Sequence, residues 1–344
     1  MDKMADFHYQ SFLAAAIKDY LDYLDNLGFC IVPQASNLRR IDAFLVENNI
    51  GCIQECDSRF WLGLMTQNHG RVKGTTLRAW RHTFHGLCRY LVRQGCLREN
   101  PVDAFPVPRI EHYRPYVFTL EELRRFFDYL RQQADHRLAD PLTSFRFRSR
   151  YVLYHLLYAC GLRASEGVRV STADYSAGQR TLFIHPSKFH KDRLIPIGGR
   201  VASNLESLLE VRQRLFGIPP EGGFFLILPQ RRPYTPTMAS HWFRTTMQHL
   251  GIYRREVTDR NCTHGTPHLH ELRRAFAVHR LMRWYREQAD VDAKLPRLAT
   301  YMGHCRFEYT KTYLTLTQQL LSEAGHRFAR GFDRLDWMSH DPEL

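Results

Sequence analysis

"GTTLRAWRHTFHGLCRYLVRQG" (residues 74–95) has a strong helical period. Its apolar residues recur every three or four positions, as on one face of an α-helix: Leu77, Trp80, Phe84, Leu87 and Leu91. We expect Thr75 or Thr76 to cap the start of this helix. The opposite face carries cations and histidines without a carboxylate. A solvated surface helix usually mixes both signs of charge, so this face favours contact with a phosphate backbone or a major groove.

The charge of the whole chain supports this interpretation. Forty-eight Lys and Arg residues against 35 Asp and Glu residues give a net charge of +13, which indicates a polyanionic partner and nucleic acid first. Residues 1–58 are acidic, whereas residues 59–98 contain eight cations and no carboxylate. The alternative is a solvated basic surface. The predicted DNA contacts are Lys73, Arg78, Arg81, His82, His85, Arg89 and Arg93.

The composition also excludes several classes of protein. No run of 18 apolar residues is present, so we expect no membrane span, and the first residues, "MDKMA", lack the apolar core of an export signal. We therefore expect a cytoplasmic, nucleoid-associated protein. The eight cysteines form no CxxC pair and are expected to be free thiols, with no metal site.

The periodicity divides the chain into two helical domains. Residues 1–98 are predicted to form a small all-helical domain, with further helices in segments 11–28 and 36–50. Residues 99–118 contain four prolines and no helical period, which indicates a linker. "TLEE" at Thr119 resembles a capping box that starts the second domain.

The second domain is predicted to be mainly α with a small β-hairpin. "TLFI" (181–184) and "RLIPI" (193–197) are short apolar strands joined by "HPSKFHKD", and "FFLIL" (224–228) is a possible further strand. Helices are expected again at 237–251, 269–288 and 294–304. Residues 318–338 form one more amphipathic segment.

Four separated motifs in this domain combine residues suited to phosphate chemistry. "YACGLRASEGVRV" (158–170) contains Arg163 and Glu166, and the hairpin connection contains Lys188. "HLHELRRAF" (268–276) places His270 and Arg273 three residues apart, on one face of a helix. "YMGHCRFEYTKTY" (301–313) contains His304 and three tyrosines. Each motif alone is weak evidence, since such residues are usually structural or solvated.

Together these motifs resemble those of the tyrosine recombinase family, the phage integrases and Xer-type proteins. The order matches: Gly-Leu-Arg-x-Ser-Glu, a hairpin lysine, His-x-x-Arg, Gly-His, and a tyrosine nine residues after that histidine. The resemblance covers residues 115–320 strongly and 1–110 more loosely. It implies a helical core-DNA-binding, SAM-like domain (1–98), a linker (99–118), a catalytic domain (119–317) and a C-terminal tail (318–344). It also implies a two-domain, C-shaped DNA clamp.

The resemblance implies roles for the residues of these motifs. Tyr313 is the expected nucleophile, because its spacing from Gly303-His304 is that of the family; Tyr309 comes four residues too early and Tyr301 precedes the pair. The expected catalytic residues are Arg163, Lys188, His270, Arg273, His304 and Tyr313, with Glu166 orienting Arg163 or His270. Lys191 remains an alternative to Lys188, since the hairpin lacks the glycine-flanked lysine common in the family.

The implied activity is site-specific DNA recombination through a 3′-phosphotyrosyl intermediate, without metal or ATP. The implied partners are double-stranded DNA and three further copies in a homo-tetramer on two DNA sites, possibly with sister recombinases, and we expect the tail to dock on a neighbouring copy or on its own domain. Departures from the Xer pattern, including Arg274, favour an integrase or transposase of a mobile element. The alternatives are Xer-like dimer resolution, a type IB topoisomerase, and a DNA-binding protein that no longer cleaves. A metal site at His264, His268 and His270 is disfavoured, because no fourth ligand is evident.

Overall fold

The computed structural model describes residues 8–68, 71–108, 112–136, 140–185, 192–219, 221–259, 262–304 and 308–317. The chain divides into two compact units, Met1–His112 and Tyr113–Leu344. The catalytic-lysine candidates and the predicted amphipathic tail lie outside the described residues. Within the described ranges, no helix combines the length and the apolar character needed to span a bilayer.

In its described residues, the first unit has four helices and two 3-10 turns. The helices are α1 (Ala14–Asn26), α2 (Val32–Glu47), α3 (Ser58–Gln67) and α4 (Gly74–Arg93), and the turns are Ile53–Glu55 and Pro101–Ala104. All five apolar residues predicted for the inner face of α4 are buried. The predicted cap is wrong, because the N-cap is Lys73 and Thr75 and Thr76 lie inside the first turn.

Part of the segment predicted to be a linker packs into the core of this unit. Val102 and Phe105 are buried, and the Phe105 ring stacks on Trp61 with the ring centroids 5.6 Å apart. The Asn100 side chain accepts a hydrogen bond from the backbone N–H of Val102 and so caps the second 3-10 turn. Helix α4 ends before this segment, at a turn in which Gly95 has a φ of +75°, and the segment with the prolines then packs back onto the unit.

The second unit is mainly helical, as predicted. Its helices are α5 (Leu120–His136), α6 (Pro141–Ala159), α7 (Ala164–Gly167), α8 (Gly199–Phe216), α9 (Pro236–His249), α10 (His270–Arg286) and α11 (Val291–Met302). Residues 308–317 are also helical. The predicted capping box at the start of α5 is confirmed: the Thr119 hydroxyl accepts from the Glu122 N–H, and the Glu122 carboxylate accepts from the Thr119 N–H.

The described residues also form three small sheets. The strands are β1 (His112–Arg114), β2 (Tyr175–Ser176), β3 (Thr181–Ile184), β4 (Arg193–Pro196), β5 (Leu226–Ile227), β6 (Arg232–Pro233), β7 (Val257–Asp259) and β8 (Cys262–His264). They form sheets in the orders β2-β3-β4, β1-β8-β7 and β5-β6. The predicted hairpin is confirmed by antiparallel pairing of β3 with β4, in which Ile184 lies opposite Arg193. The predicted strand 224–228 shortens to the two residues of β5.

Helix α6 lies at the centre of the larger core. Residues 152–154 and 156–158 are buried on all sides of the helix, which packs mainly against α5, α8 and α10. A helix that is apolar all round belongs in an interior. Its C-terminus therefore provides a rigid support for the motif that follows it, residues 160–166.

Candidate active site

Arg163 is positioned by a glycine turn at the end of α6. Gly161 has a φ of +58°, and a Cβ there would collide with the ring of Phe276 on α10. Only glycine therefore allows the chain to reverse against α10 at this point. Two residues later, Arg163 is the N-cap of α7.

Glu166 forms the buried anionic centre of the site. Its carboxylate accepts hydrogen bonds from Arg163 Nη1 at 2.6 Å, from the Arg163 backbone N–H at 2.9 Å and from Arg193 Nη2 at 2.9 Å. Arg273 Nη1 lies 4.0 Å from the same carboxylate. Burial opposes the ionisation of Glu166, but Arg193 and Arg163 outweigh burial and lower its pKa to about 2. Three guanidiniums around one carboxylate leave an excess of two positive charges.

The C-terminus of α11 faces these arginines. Gly303 has a φ of +67°, its N–H donates to Thr300 O, and the His304 N–H donates to Ala299 O, both at 3.0 Å. These two bonds define a Schellman motif, which ends the helix at a left-handed glycine. The last carbonyls of a helix lack backbone partners and carry its negative dipole end.

Three consecutive carbonyls at this helix end each accept a hydrogen bond from a different arginine. Arg193 Nε donates to Tyr301 O at 2.9 Å, Arg273 Nη2 to Met302 O at 2.7 Å, and Arg163 Nη2 to Gly303 O at 3.0 Å. Arg273 also donates to Gly161 O at 2.5 Å and is 2% exposed. Arginines from three separate elements, α7, β4 and α10, therefore contact the same helix end.

His304 leaves this turn toward the helix that carries Tyr313. The two rings are tilted by 30°, with their centroids 5.8 Å apart, and Tyr313 is 7% exposed. Burial and the charge of Arg163 lower the pKa of Arg273 to about 10, and the interaction with Tyr313 partly opposes this lowering. His304 Nδ1 lies 2.7 Å from the hydroxyl of the buried Thr310, one turn before Tyr313. Tyr313 therefore belongs to the same cluster as the arginines.

Both site histidines are held neutral. Burial, followed by the charges of Arg273 and Arg163, lowers the pKa of His304 to about 3. His270 is the first residue of α10 and is exposed at its surface; desolvation by the surrounding protein and the charge of Arg274 still lower its pKa. A neutral imidazole can accept a proton, whereas an imidazolium cannot.

The other two tyrosines of this segment lie in different surroundings. Tyr301 stacks on Phe276 with the centroids 5.7 Å apart, and its hydroxyl donates to Pro196 O at 3.1 Å. Tyr309 is 51% exposed, and its ring lies edge-on to His304 at 6.3 Å. Tyr301 is thus a packing residue, and Tyr309 lies at the surface.

The predicted DNA contacts on α4 separate into two groups. Arg81 donates to the carbonyls of Val102 and Phe105, and His85 Nε2 lies 3.1 Å from Asp103 Oδ1. These two side chains hold the turn that follows α4. Five others are exposed: Lys73, Arg78, His82, Arg89 and Arg93. Arg78, His82, Arg89 and Arg93 recur at helical spacing, and the three arginines make this exposed face of α4 cationic.

One of the histidines considered as metal ligands, His268, has another partner. His268 Nδ1 lies 3.0 Å from the buried Glu271 carboxylate, which also pairs with Arg274. In the part of the chain that the structure describes, no group of three or more His, Cys, Asp or Glu side chains is arranged to hold a metal ion.

Sequence reasoning missed Arg193 and Thr310. Arg193 begins a strand, where a charged residue carries no periodic signal, and its partners Glu166 and Tyr301 are 27 and 108 residues away. Thr310 resembles any polar helix residue until its contact with His304 is known. The only local signal was the position of Arg193 at the start of "RLIPI", directly after the lysine-bearing connection.

A cavity of about 770 Å³ lies between α5, α6 and α8 and contains none of these site residues. Two of the arginines that line it are paired with aspartates, Arg131 with Asp128 and Arg148 with Asp135. We assign the candidate active site to the arginine cluster, because the tyrosine and the two neutral histidines lie there.

Comparison with known proteins identifies the family of this chain. The sequence model of the phage integrase family matches residues 117–319. The integrase/recombinase y4rB of Sinorhizobium fredii is 25% identical over 318 residues, which cover 92% of this chain and 97% of that protein. The tyrosine recombinase XerC of Psychromonas ingrahamii is 24% identical over 294 residues, covering 85% of this chain and 87% of that protein.

The fold is similar to that of a solved lambda integrase tetramer bound to a Holliday junction. The TM-score is 0.60 and the sequence identity 16%, over 86% of this chain and 77% of that chain. The family match spans more than half of the chain and includes every motif residue of the arginine cluster. The chain therefore belongs to the phage integrase family, the tyrosine recombinases.

Proposed function

We propose that the protein is a site-specific DNA recombinase that cleaves and rejoins DNA through Tyr313 and serves the integration, excision or transposition of a mobile element. The observation that carries this proposal is the position of the Tyr313 ring, beside neutral His304 and within the field of Arg273. The departures from the Xer pattern in the sequence, including Arg274, favour a mobile element over chromosome-dimer resolution.

The excess positive charge of the cluster suits a scissile phosphate. In the transition state of phosphoryl transfer, negative charge increases on the nonbridging oxygens, and guanidinium forks bind such oxygens in pairs. Arg163 and Arg273 are the proposed phosphate ligands, since both are already aimed by carbonyls of the α11 end. Removal of one such electrostatic contact typically costs about 10²–10³ in rate. The Glu166 carboxylate holds the Arg163 guanidinium in place through their hydrogen bond.

The covalent step exchanges one phosphodiester for another. The Tyr313 oxygen attacks phosphorus, the bond between phosphorus and the 5′ oxygen breaks, and the protein becomes joined to the 3′ phosphate. The phenolic proton passes to His270, whose lowered pKa leaves it free to accept one. His304 donates a hydrogen bond to a phosphate oxygen through the nitrogen not used by Thr310.

The leaving 5′ oxygen takes a proton from Lys188, or from Lys191, because an alkoxide leaves poorly without one. Attack of a different 5′ hydroxyl on the phosphotyrosine reverses the step and joins a new partner strand. The bond energy is retained throughout, so that neither ATP nor a metal is required. In this proposal arginines supply the charge stabilisation that a metal ion supplies in other nucleases.

The proposed partners are double-stranded DNA and other copies of the chain. The cationic face of α4 binds the phosphate backbone outside the cleavage site. Two DNA sites held by four copies would allow strand exchange, as the lambda integrase tetramer on a Holliday junction suggests by analogy. Such a protein acts in the cytoplasm, on the nucleoid or on element DNA.

Covalent trapping tests the proposal. Nicked duplexes tiled across the ends of the element that carries the gene are incubated with wild type, Tyr313→Phe and the matched control Tyr309→Phe, with EDTA and without ATP. We expect an SDS-resistant protein–DNA band with wild type and Tyr309→Phe, and none with Tyr313→Phe. A band that survives in Tyr313→Phe would refute the assignment of the nucleophile.

Two other outcomes would refute the recombinase itself. Tight binding of these duplexes by wild type without any covalent band would indicate a DNA-binding protein that no longer cleaves. Relaxation of an arbitrary supercoiled plasmid by the monomer would indicate a type IB topoisomerase.

A further inference from the structure

Arg193 links the β3–β4 hairpin to Glu166 and to the C-terminal end of α11. All three of its guanidinium nitrogens donate to protein acceptors: Nη1 and Nη2 to Glu166 at 3.2 and 2.9 Å, and Nε to Tyr301 O at 2.9 Å. We propose that Arg193 is a positioning residue for strand cleavage, which fixes the start of β4 to Glu166 and to the α11 end. This inference rests on the proposed recombinase function and adds a residue to its machinery.

The location of Arg193 on β4 explains why such an anchor matters. It is the first residue of the strand and lies opposite Ile184, the last residue of β3. The connection between these two residues contains the candidate general acids, Lys188 and Lys191. Arg193 therefore fixes the C-terminal end of that connection relative to Arg163 and His304. A misplacement of about 1 Å at a reacting group can cost about 10²-fold in rate.

Arg193 also controls the charge state of the cluster. Among the interactions that favour ionised Glu166, those with Arg193 are the largest, followed by those with Arg163. Without Arg193, the buried carboxylate would face Arg163 alone, with Arg273 4.0 Å away. Protonation of Glu166 would then weaken its hold on Arg163 at a pH where the wild-type carboxylate is ionised.

The fit around Arg193 is specific to its shape. A Cβ at Gly303 would lie 2.7 Å from Arg193 Nη1 and 3.0 Å from Cζ, so the guanidinium packs directly on the glycine backbone. Lysine carries the same charge but has one nitrogen and no planar fork. Its ammonium can donate several hydrogen bonds but only from that one atom, so we expect it to restore the contacts with Glu166 and Tyr301 O only in part.

The test compares cleavage by Arg193→Ala, Arg193→Lys and Leu194→Ala, a matched control that changes an exposed side chain on the same strand. Single-turnover formation of the covalent adduct is measured at saturating DNA, together with the dissociation constant. We expect Arg193→Ala to lower the rate about 10²-fold, Arg193→Lys to lower it less, and Leu194→Ala to match wild type. DNA affinity should stay within about threefold of wild type for all variants. An unchanged rate in Arg193→Ala, or a loss explained by weaker DNA binding, would overturn the proposal.

The pH profile separates positioning from simple loss of structure. Arg193→Ala should gain a rise of rate with pH in the weakly acidic range, because Glu166 must now ionise within that range. His270 and His304 also titrate in this cluster, so the double variant Arg193→Ala/Glu166→Gln serves as the control and should lack the added limb. A profile with the wild-type shape in Arg193→Ala would contradict the electrostatic part of the inference.

Hydrogen exchange on the free protein tests the anchor without any cleavage. Arg193→Ala and Arg193→Lys should raise the exchange of amides in β3, β4 and the end of α11, and leave α4 unchanged. Unchanged exchange in all of these segments would overturn the role of Arg193, whatever the activity. If wild type forms no adduct while exchange responds as expected, the proposed recombinase fails and the anchoring contact stands.

Discussion

Replacement of Gly303 by alanine is expected to damage both stability and cleavage, for two separable reasons. A left-handed backbone costs a non-glycine residue about 1–2 kcal/mol, offset in part by about 0.4–1 kcal/mol from the less flexible unfolded chain. The second cost is steric, because the new methyl would lie 2.7 Å from Arg193 Nη1. The guanidinium cannot move away without leaving Glu166 or Tyr301 O.

Gly251 provides a matched control in the same unit. It ends α9 in the same motif, with a φ of +66°, an N–H that donates to Gln248 O and a following Ile252 N–H that donates to Met247 O. A Cβ at Gly251 meets nothing within 4 Å. Gly251→Ala therefore measures the backbone cost alone.

The difference between the two variants isolates the contact with Arg193. Overpacking of a tight site costs about 1–3 kcal/mol, so Gly303→Ala should be less stable than Gly251→Ala by that amount. In a unit of this size, each kcal/mol lowers Tm by roughly 2–4 °C. Urea unfolding and covalent trapping are measured for both variants, and cleavage should fall about 10²-fold only in Gly303→Ala. Equal stability and equal cleavage in the two variants would refute the packing argument.

Three further predictions concern pH, DNA binding and the general acid. Burial lowers the pKa of His279 to about 4; the unfolded state binds the proton below about 6.5, so stability should fall by about 2 kcal/mol between pH 7 and 5. Other histidines with lowered pKa values, including His155 and His304, add to the fall in wild type, so urea unfolding should show wild type losing about 2 kcal/mol more than His279→Gln over this pH range; parallel pH profiles would contradict it. Arg89→Ala should reduce the slope of the logarithm of the DNA-binding constant against log salt by about one. Arg81→Ala should instead destabilise the first unit by about 1–3 kcal/mol, because two buried carbonyls lose their donor. The reverse pattern in binding and unfolding assays would contradict the division of the α4 cations into two groups. Cleavage by Lys188→Ala should recover on DNA with sulfur in place of the bridging 5′ oxygen, since a thiolate leaves without a proton. If cleavage by Lys191→Ala recovers instead, Lys191 is the general acid. If cleavage by neither variant recovers, no lysine in this connection is the general acid.

Local sequence signals predicted most of the helices. The apolar period of α4, the capping box at Thr119 and the β3–β4 hairpin each depend on residues close together in the chain, and each is present in the structure. The sheet that joins β1 to β8 was not predicted, because His112–Arg114 pairs with a strand about 150 residues away. A three-residue strand within a proline-rich segment carries no periodicity of its own.

The sequence motifs predict the candidate site residues but not the contacts between them. The motifs predict Arg163 and Arg273 as catalytic residues, but their hydrogen bonds to consecutive carbonyls at the end of α11 depend on the left-handed turn at Gly303, which the motifs do not reveal. Arg193 was not predicted because its role depends on two partners that are distant in the sequence, Glu166 and Tyr301. Whether Lys188 or Lys191 is the acid stays a prediction, since both lie outside the described residues.

Identification of the DNA-linked peptide tests the central claim most directly. Trypsin separates the two rival tyrosines at Lys311, giving FEYTK (307–311) with Tyr309 and TYLTLTQQLLSEAGHR (312–327) with Tyr313. The trapped complex is digested with nuclease and trypsin, and the peptides are examined by mass spectrometry for a nucleotide remnant. We predict the remnant on Tyr313 in the longer peptide. A remnant on Tyr309 in the shorter peptide would contradict the account, because that side chain lies exposed at the edge of the cluster.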